Sequence, residues 1–325
     1  MAKVIIGIHG LGNKPPKGLI EHWWKLAIRE GFEKAGLAVP KFKFELVYWA
    51  DLVYDKPENF EEKDEESPYF LEEPYHRSTN KKLEPKDNSF RKKVLQFIEN
   101  QLEKVFLNED LSLNYHSVTD AIMRKYFKEL EMYYGEEDAN RELQKETRKR
   151  LMNTLRKYQY DDVLLIGHSM GSIIAYDLLQ FELSKFSIHT FVTMGSPLGL
   201  PFIRSKIADE LKRKNLGLNI CTPNSISNSW YNFADLEDKI ALNFDLNNDF
   251  TPNLFGNQVK DIEITNDYET DGKRNPHKAF GYLRSKEFID VLNTFIKEKR
   301  KFSVGVWLNR IKKISHTIRK QKPTY

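Results

Sequence analysis

The sequence predicts an α/β fold in which a parallel sheet is covered on both faces by helices. Three observations carry that reading. Short continuous apolar runs at residues 4–8, 162–166 and 190–194 have the texture of strands buried on both sides. Stretches of helical spacing separate most of them, as βαβ connections require. One strand passes into a helix through Gly167-His168-Ser169-Met170-Gly171, a turn of unusual tightness.

The elements follow in order. After the first strand, Gly10, Gly12 and Pro15-Pro16 break the chain, and residues 19–35 repeat apolar side chains on successive turns, with Gly36 suited to the exit. Residues 42–49 alternate partly and read as a second strand. Residues 51–73 then hold ten acidic side chains interrupted by prolines, which suits a solvated excursion, and helical stretches follow near 89–107, 117–134 and 138–158. The α/β rhythm resumes with the strand at 162–166, a helix from 171 to about 183 and the strand at 190–194. A helix near 201–214, strands near 229–233 and 258–265, and one long helix at 278–298 complete it. Asp245, Asn247, Asn248 and Asp249 superficially resemble a calcium loop, but Phe250 occupies the place of the turn glycine, so a solvated loop is expected there.

Composition sets the outer bounds. The 325 residues carry 51 Lys+Arg against 47 Asp+Glu, and 40% of them are apolar, enough for a sizeable core. No apolar run approaches the ~20 residues of a membrane span, and the N-terminus lacks signal-peptide texture. Cys221 is the single cysteine, so an intrachain disulfide and a four-Cys zinc site are excluded, and a reducing cytoplasm is the expected location. Eight scattered histidines without HExxH spacing argue against catalytic zinc, so no metal is expected. Residues 297–325 hold ten Lys/Arg and one Glu, leaving an acidic body and a basic tail; the whole chain is no nucleic-acid footprint.

The chemistry is concentrated in the turn at 167–171. The motif is G-x-S-x-G between an apolar strand and an amphipathic helix, and side chains at Gly167 and Gly171 would clash in so sharp a reversal. Ser169 is thereby held at the carboxyl edge of the sheet and at a helix N-terminus, as a nucleophile must be. An attacked carbonyl becomes an oxyanion and needs preorganised N–H donors. The Met170 amide is one candidate, and the loop Ile8-His9-Gly10-Leu11-Gly12 supplies the other through Leu11, with Gly10 and Gly12 letting the amide turn inward. His9 reads as a residue that holds this loop's shape, and the spacing matches neither GxGxxG nor GxxxxGK[ST].

HGLG after an N-terminal strand together with GHSMGS resembles the α/β-hydrolase superfamily, more narrowly its lipase/esterase-like members. The resemblance extends over most of the chain in element order, excluding the insertion and the tail. It implies a triad in the chain order Ser, Asp/Glu, His, and a reduced, mostly parallel sheet of about six strands because the usual first edge strands are missing. By that resemblance the acid precedes a short apolar turn, which fits Asp238-Lys239-Ile240, with Asp235 as the alternative. The base falls between the last strand and last helix, which fits His277; His168 lies inside the elbow and His189 begins a strand.

The expected organisation is a core from 1–50 and 159–298, a helical cap or lid from 51–158, and a basic amphipathic tail from 299–325. Tyr69, Phe70, Tyr75, Tyr133 and Tyr134 are candidates for an acyl pocket or equally for packing anchors. Trp307, Ile311, Ile314 and Ile318 repeat at helical spacing among basic residues, so the tail suits either peripheral contact with an anionic inner membrane surface or packing on the body. The expected activity is hydrolysis of small-molecule carboxylic esters with a hydrophobic acyl group, without a cofactor. A thioesterase or amidase on the same residues, or a silent fold that binds lipid or a protein partner, are the alternatives.

Overall fold

A computed structural model describes residues 2–79, 130–135, 137–183, 186–217, 219–241 and 245–298. Strands β1 (Lys3–Ile8), β2 (Lys43–Val47), β3 (Asp162–His168), β4 (Ile188–Met194), β5 (Ile226–Ala234) and β6 (Val259–Glu263) form one sheet in the order β2-β1-β3-β4-β5-β6. Every neighbouring pair is parallel. The layout fits an α/β-hydrolase and is shared with other doubly wound folds.

Helices among the described residues include α1 (Lys17–Lys34), α2 (Asp138–Lys157), α3 (Met170–Phe181), α4 (Pro201–Arg213), α5 (Leu246–Asp249), α6 (Ala279–Arg284) and α7 (Lys286–Lys297). Strand alternation divides the core in two. Val4, Ile6, Ile8, Val163 and Leu165 face one way and pack with Leu151 and Leu155 of α2, Ile173 and Ile174 of α3, and Ile203 and Leu211 of α4. Ile5, Leu164 and Ile166 face the other and pack with Trp24 and Phe32 of α1, Tyr282 of α6 and Phe288 of α7. The middles of β1 and β3 are therefore apolar on both faces, and β3 is buried at every residue. The 138–157 stretch of the insertion lies on the sheet as the crossover helix from β2 to β3.

Two local expectations need correction, and one element was missed. The single helix expected at 278–298 is two, α6 and α7, because Ser285 adopts an extended conformation and its hydroxyl caps the Phe288 N–H (3.3 Å). The solvated loop expected at 245–249 is one helical turn with Leu246 and Phe250 buried beside it; the Asp261 carboxylate accepts from the Leu246 and Asn247 amides (3.2 and 2.8 Å). A small hairpin, β7 (Glu269–Thr270) with β8 (Lys273–Arg274), turns through Asp271 and Gly272 at φ 50° and 74°, a hairpin signal overlooked in the sequence.

The helical stretch expected at 89–107, most of that at 117–134, and the tail at 299–325 lie outside the described residues; residues 130–134 are helical. Among the described residues, no helix is long and apolar enough to cross a membrane.

Candidate active site

The strand order creates the place for a site. β2 lies on one side of β1 and β3 on the other, so the sheet's winding reverses between β1 and β3. Crevices at the carboxyl ends of such a switch point are the usual ligand position in open α/β sheets. The loop after β1 and the turn after β3 meet there. The contact is close: a Cβ on Gly10 would stand 2.6 Å from Ser169 Cβ, so no larger residue fits without moving the serine.

Ser169 sits at φ 52°, ψ −127°, a conformation that L-residues with side chains rarely adopt. What forces it is the reversal from β3 into α3. A Cβ at Gly167 would lie 2.6 Å from the Ser172 backbone, and one at Gly171 would lie 2.4 Å from the Ile8 carbonyl. The elbow is anchored by its neighbours. The Ser169 N–H donates to the Met194 carbonyl (2.9 Å). The Ser172 hydroxyl donates to the Ser169 carbonyl (2.5 Å) and lies 2.7 Å from the Ser196 hydroxyl. Met170 is the first residue of α3, so its N–H has no acceptor within the helix.

Asp238 and His277 are in contact, although 39 residues separate them: His277 Nδ1 lies 2.8 and 3.0 Å from the two carboxylate oxygens. Asp238 is 2% exposed, and its remaining capacity is taken up by the Ile240 N–H (2.9 Å) and by the Tyr282 hydroxyl (2.8 Å). Burial and then the Asp238 charge push the Tyr282 phenol well above its ordinary range, so it stays a donor. Beneath the pair lies Gly195, at φ 54°, where a Cβ would meet Asp238 Oδ2 at 2.8 Å and His277 Nδ1 at 3.0 Å. Gly195 directly follows the Met194 that anchors Ser169.

The loop carrying His277 is pinned at three consecutive carbonyls. Asn266 Nδ2 donates to those of Pro276 and Lys278 (2.9 and 2.8 Å), and His168 Nε2 donates to that of His277 (2.7 Å). His168 is thus a strut from the turn at 167–171 to the loop that carries His277. Burial, followed by the neighbouring His277, pushes its pKa well below the ordinary value and keeps it neutral. Asp235 points elsewhere: its carboxylate accepts from the Glu237 and Asn266 amides (both 2.7 Å) and pairs with Arg274. Of the two carboxylates considered for the acid, only Asp238 touches His277.

Ser169 and His277 line one cavity of about 570 Å³ together with His9, Gly10, Leu11, Gly12 and His168. One wall is aromatic and aliphatic, from Ile20, Trp23, Trp24 and Phe280; the other comes from the acidic segment, with Tyr54, Glu58, Glu66, Pro68, Phe70 and Glu73. Of the five aromatic residues read as acyl-pocket candidates or packing anchors, only Phe70 lines this cavity. Tyr69 and Tyr75 bond outward to Asp55 and Glu30 (2.6 and 2.7 Å), Tyr133 donates to Asp177 (3.1 Å), and Tyr134 packs edge-on against Phe202. They are packing anchors, and Trp23, Trp24 and Phe280 form the apolar wall instead.

His9 is buried, with its ring stacked on Trp49 at 5.2 Å. Its Nδ1–H donates to the Gly10 carbonyl (2.8 Å) and its Nε2 accepts the Trp49 N–H (3.0 Å), which fixes the tautomer. Burial first, then Lys14, pushes its pKa down to about 3. A trans peptide holds C=O and N–H on opposite sides. By fixing the Gly10 carbonyl, His9 therefore also fixes the direction of the Leu11 amide, and Gly12 continues the turn at φ 79°.

The positions that sequence reasoning missed are Tyr282, Asn266, Gly195 and the pair Asn13-Lys14. Gly195-Ser196-Pro197 after an apolar strand was a visible turn signal; the others depend on contacts between distant segments. Among the described residues, no group of His, Cys, Asp and Glu is arranged to hold a metal. No protein-family model matches the chain, and no curated protein matches it.

Proposed function

We propose that this chain is a serine hydrolase of the α/β-hydrolase type that cleaves carboxylic esters with an apolar acyl group. The observation that carries the reading is the His277–Asp238 contact at 2.8 Å, made on the same cavity in which Ser169 is held strained at the end of β3. An imidazole whose Nδ1 faces a buried carboxylate has Nε2 left to act on a hydroxyl.

In this mechanism, His277 Nε2 takes the Ser169 proton as Oγ bonds to the acyl carbon, and the carbonyl electron pair moves onto oxygen. The Leu11 and Met170 amides stabilise that oxyanion. Collapse expels the alcohol, which leaves with the proton from His277. Water, deprotonated by the same nitrogen, then releases the acid and restores Ser169. Asp238 holds the ring's orientation and stabilises imidazolium, and Tyr282 holds Asp238. The wall of Trp23, Trp24, Ile20 and Phe280 suits the acyl chain.

The test is labelling by a fluorophosphonate. Wild type becomes labelled at Ser169, Ser169→Ala does not and loses ~10³-fold or more in kcat, and Asp238→Asn slows labelling far more than Asp235→Asn. A folded wild-type chain that resists the probe, or a Ser169→Ala chain with normal turnover, overturns the proposal.

A further inference from the structure

Immediately beyond the predicted oxyanion loop the chain reads Leu11-Gly12-Asn13-Lys14, and the lysine folds back on its own turn. Its ammonium donates to the carbonyls of Leu11, of Gly12 (3.1 Å) and of Asn13 (2.9 Å). Three donors meet three successive carbonyls, as a bound cation would. The lysine's backbone is fixed as well. Its N–H donates to Asn13 Oδ1 (2.9 Å), and its carbonyl accepts from the Glu58 N–H (3.1 Å) and the Tyr48 hydroxyl (3.2 Å).

Peptide planarity gives this arrangement a consequence for the amides. With the carbonyls of residues 11, 12 and 13 gathered on one ammonium, the N–H groups of the next three residues are turned the opposite way. His9 imposes the same constraint one peptide earlier, through the Gly10 carbonyl. Every peptide plane from 10 to 14 is thus set by a side chain, in a segment with no helix or strand to set it.

Lys14 lines the same cavity as Leu11, Gly12 and Ser169, so this turn borders the place where an oxyanion would form. Its field reaches the elbow: after burial itself, Lys14 is the next contributor holding His9 in its neutral form, and it also helps keep His168 neutral. We propose that Lys14 is a positioning residue for the oxyanion-binding turn: by holding the carbonyls of residues 11–13 it fixes the peptide planes that follow the Leu11 amide, whose own plane His9 sets, and it adds positive potential near that amide. The inference rests on the serine-hydrolase reading. A lysine that only braced the turn against unfolding would leave the transition state of the surviving folded enzyme untouched.

The experiment compares wild type with Lys14→Met and Lys14→Arg on a nitrophenyl ester and on a trifluoromethyl ketone of the same acyl length, which adds Ser169 Oγ to give a bound oxyanion. In Lys14→Met, kcat falls about 10- to 100-fold with KM within about twofold, and the ketone's Ki rises by the same factor as kcat falls. Lys14→Arg, which keeps a cation, recovers part of both losses. If the Met variant does not fold, Lys14→Gln, which keeps a donor without the charge, is read in its place. A kcat within about threefold of wild type, or a fall in kcat with no change in the ketone's Ki, overturns the proposal while labelling of Ser169 in the same preparation shows the hydrolase reading intact. Absence of labelling in wild type overturns both.

Discussion

Among the described residues, each face of the sheet carries one buried arginine, and the two hold surroundings of different charge balance. On the α1 side, Arg284 meets Glu30 (3.2 Å) and Asp267 (2.6 Å), and Asp267 is joined by Lys34. Tyr75, the Ser78 amide and the Ser78 hydroxyl complete the bonding of both carboxylates (each 2.7 Å). On the α3 side, Arg148 meets Asp177 (2.8 Å), Glu210 (3.1 Å) and Glu182 (3.2 Å), and one Asp177 oxygen stays buried without a hydrogen bond. The first knot is neutralised and saturated. The second has more carboxylate than nearby cation. Buried ion pairs stabilise only when their remaining valences are met, so the two should fail differently.

The largest effect is expected from breaking the saturated knot. Arg284→Met strands two carboxylates in the interior and should cost about 3–5 kcal/mol of unfolding free energy, read from urea denaturation. It also removes the Arg284 bond to the His76 carbonyl (2.7 Å), one fastening of residues 73–79 beside the Glu73–Lys278 pair at the cavity (3.0 Å), so ester turnover should fall with it. Arg148→Met should cost less, because Asp177 can take up a proton. Equal losses would remove the distinction between the knots.

The pH dependence sharpens the contrast. Burial, with Glu210 adding to it against the pull of Arg148, pushes Asp177 from an ordinary 3.8 up to about 6. The folded state then holds that proton more tightly than the unfolded chain. The resulting stability is fully present below pH 3.8 and is lost as pH rises through about 6. Asp267 behaves the other way. Burial pushes its pKa upward, but Arg284, Lys34 and Ser78 outweigh that and hold it below the ordinary value. Its contribution is present above the unfolded pKa and lost as pH falls through the lower folded one. Asp177→Asn should therefore change the stability difference between pH 5 and pH 8, relative to wild type, by on the order of 1–2 kcal/mol, with wild type gaining more on acidification. Parallel pH curves for the two proteins would contradict the shift.

The smallest effect concerns a single hydroxyl. Ser78→Ala removes one donor from Asp267 in a knot with others to spare, and should cost about 0.5–1.5 kcal/mol at neutral pH in the same urea assay, with the deficit shrinking as Asp267 is protonated in acid.

The contrast also explains what the sequence could and could not disclose. The parallel sheet was legible because strands buried on both faces are largely apolar, as residues 4–8 and 163–166 are. The elbow was legible because a sharp strand-to-helix reversal makes local demands, met by Gly167 and Gly171. Asp238 and His277 were reached only by the order of elements that a family resemblance implies, since nothing local distinguishes Asp238 from Asp235. Their different roles come from Arg274 and Asn266, which occupy Asp235 and leave Asp238 to the imidazole. The two arginine knots and the Lys14 turn were invisible for the same reason: each joins segments far apart in sequence, or turns a side chain onto its own backbone without periodicity. Ser285 was readable as a helix cap, but the apolar run continuing past it hid the break.

Asn13 Nδ2 donates to the carbonyls of both Lys56 and Pro68 (2.8 and 2.9 Å), while its Oδ1 receives the Lys14 N–H. One amide side chain therefore ties the acidic segment at 56–68 to the loop after β1. Under the hydrolase proposal, any displacement of that segment at the cavity mouth would cost Asn13 two bonds and loosen the turn that carries Leu11, so opening the cavity and holding the amides would work against each other.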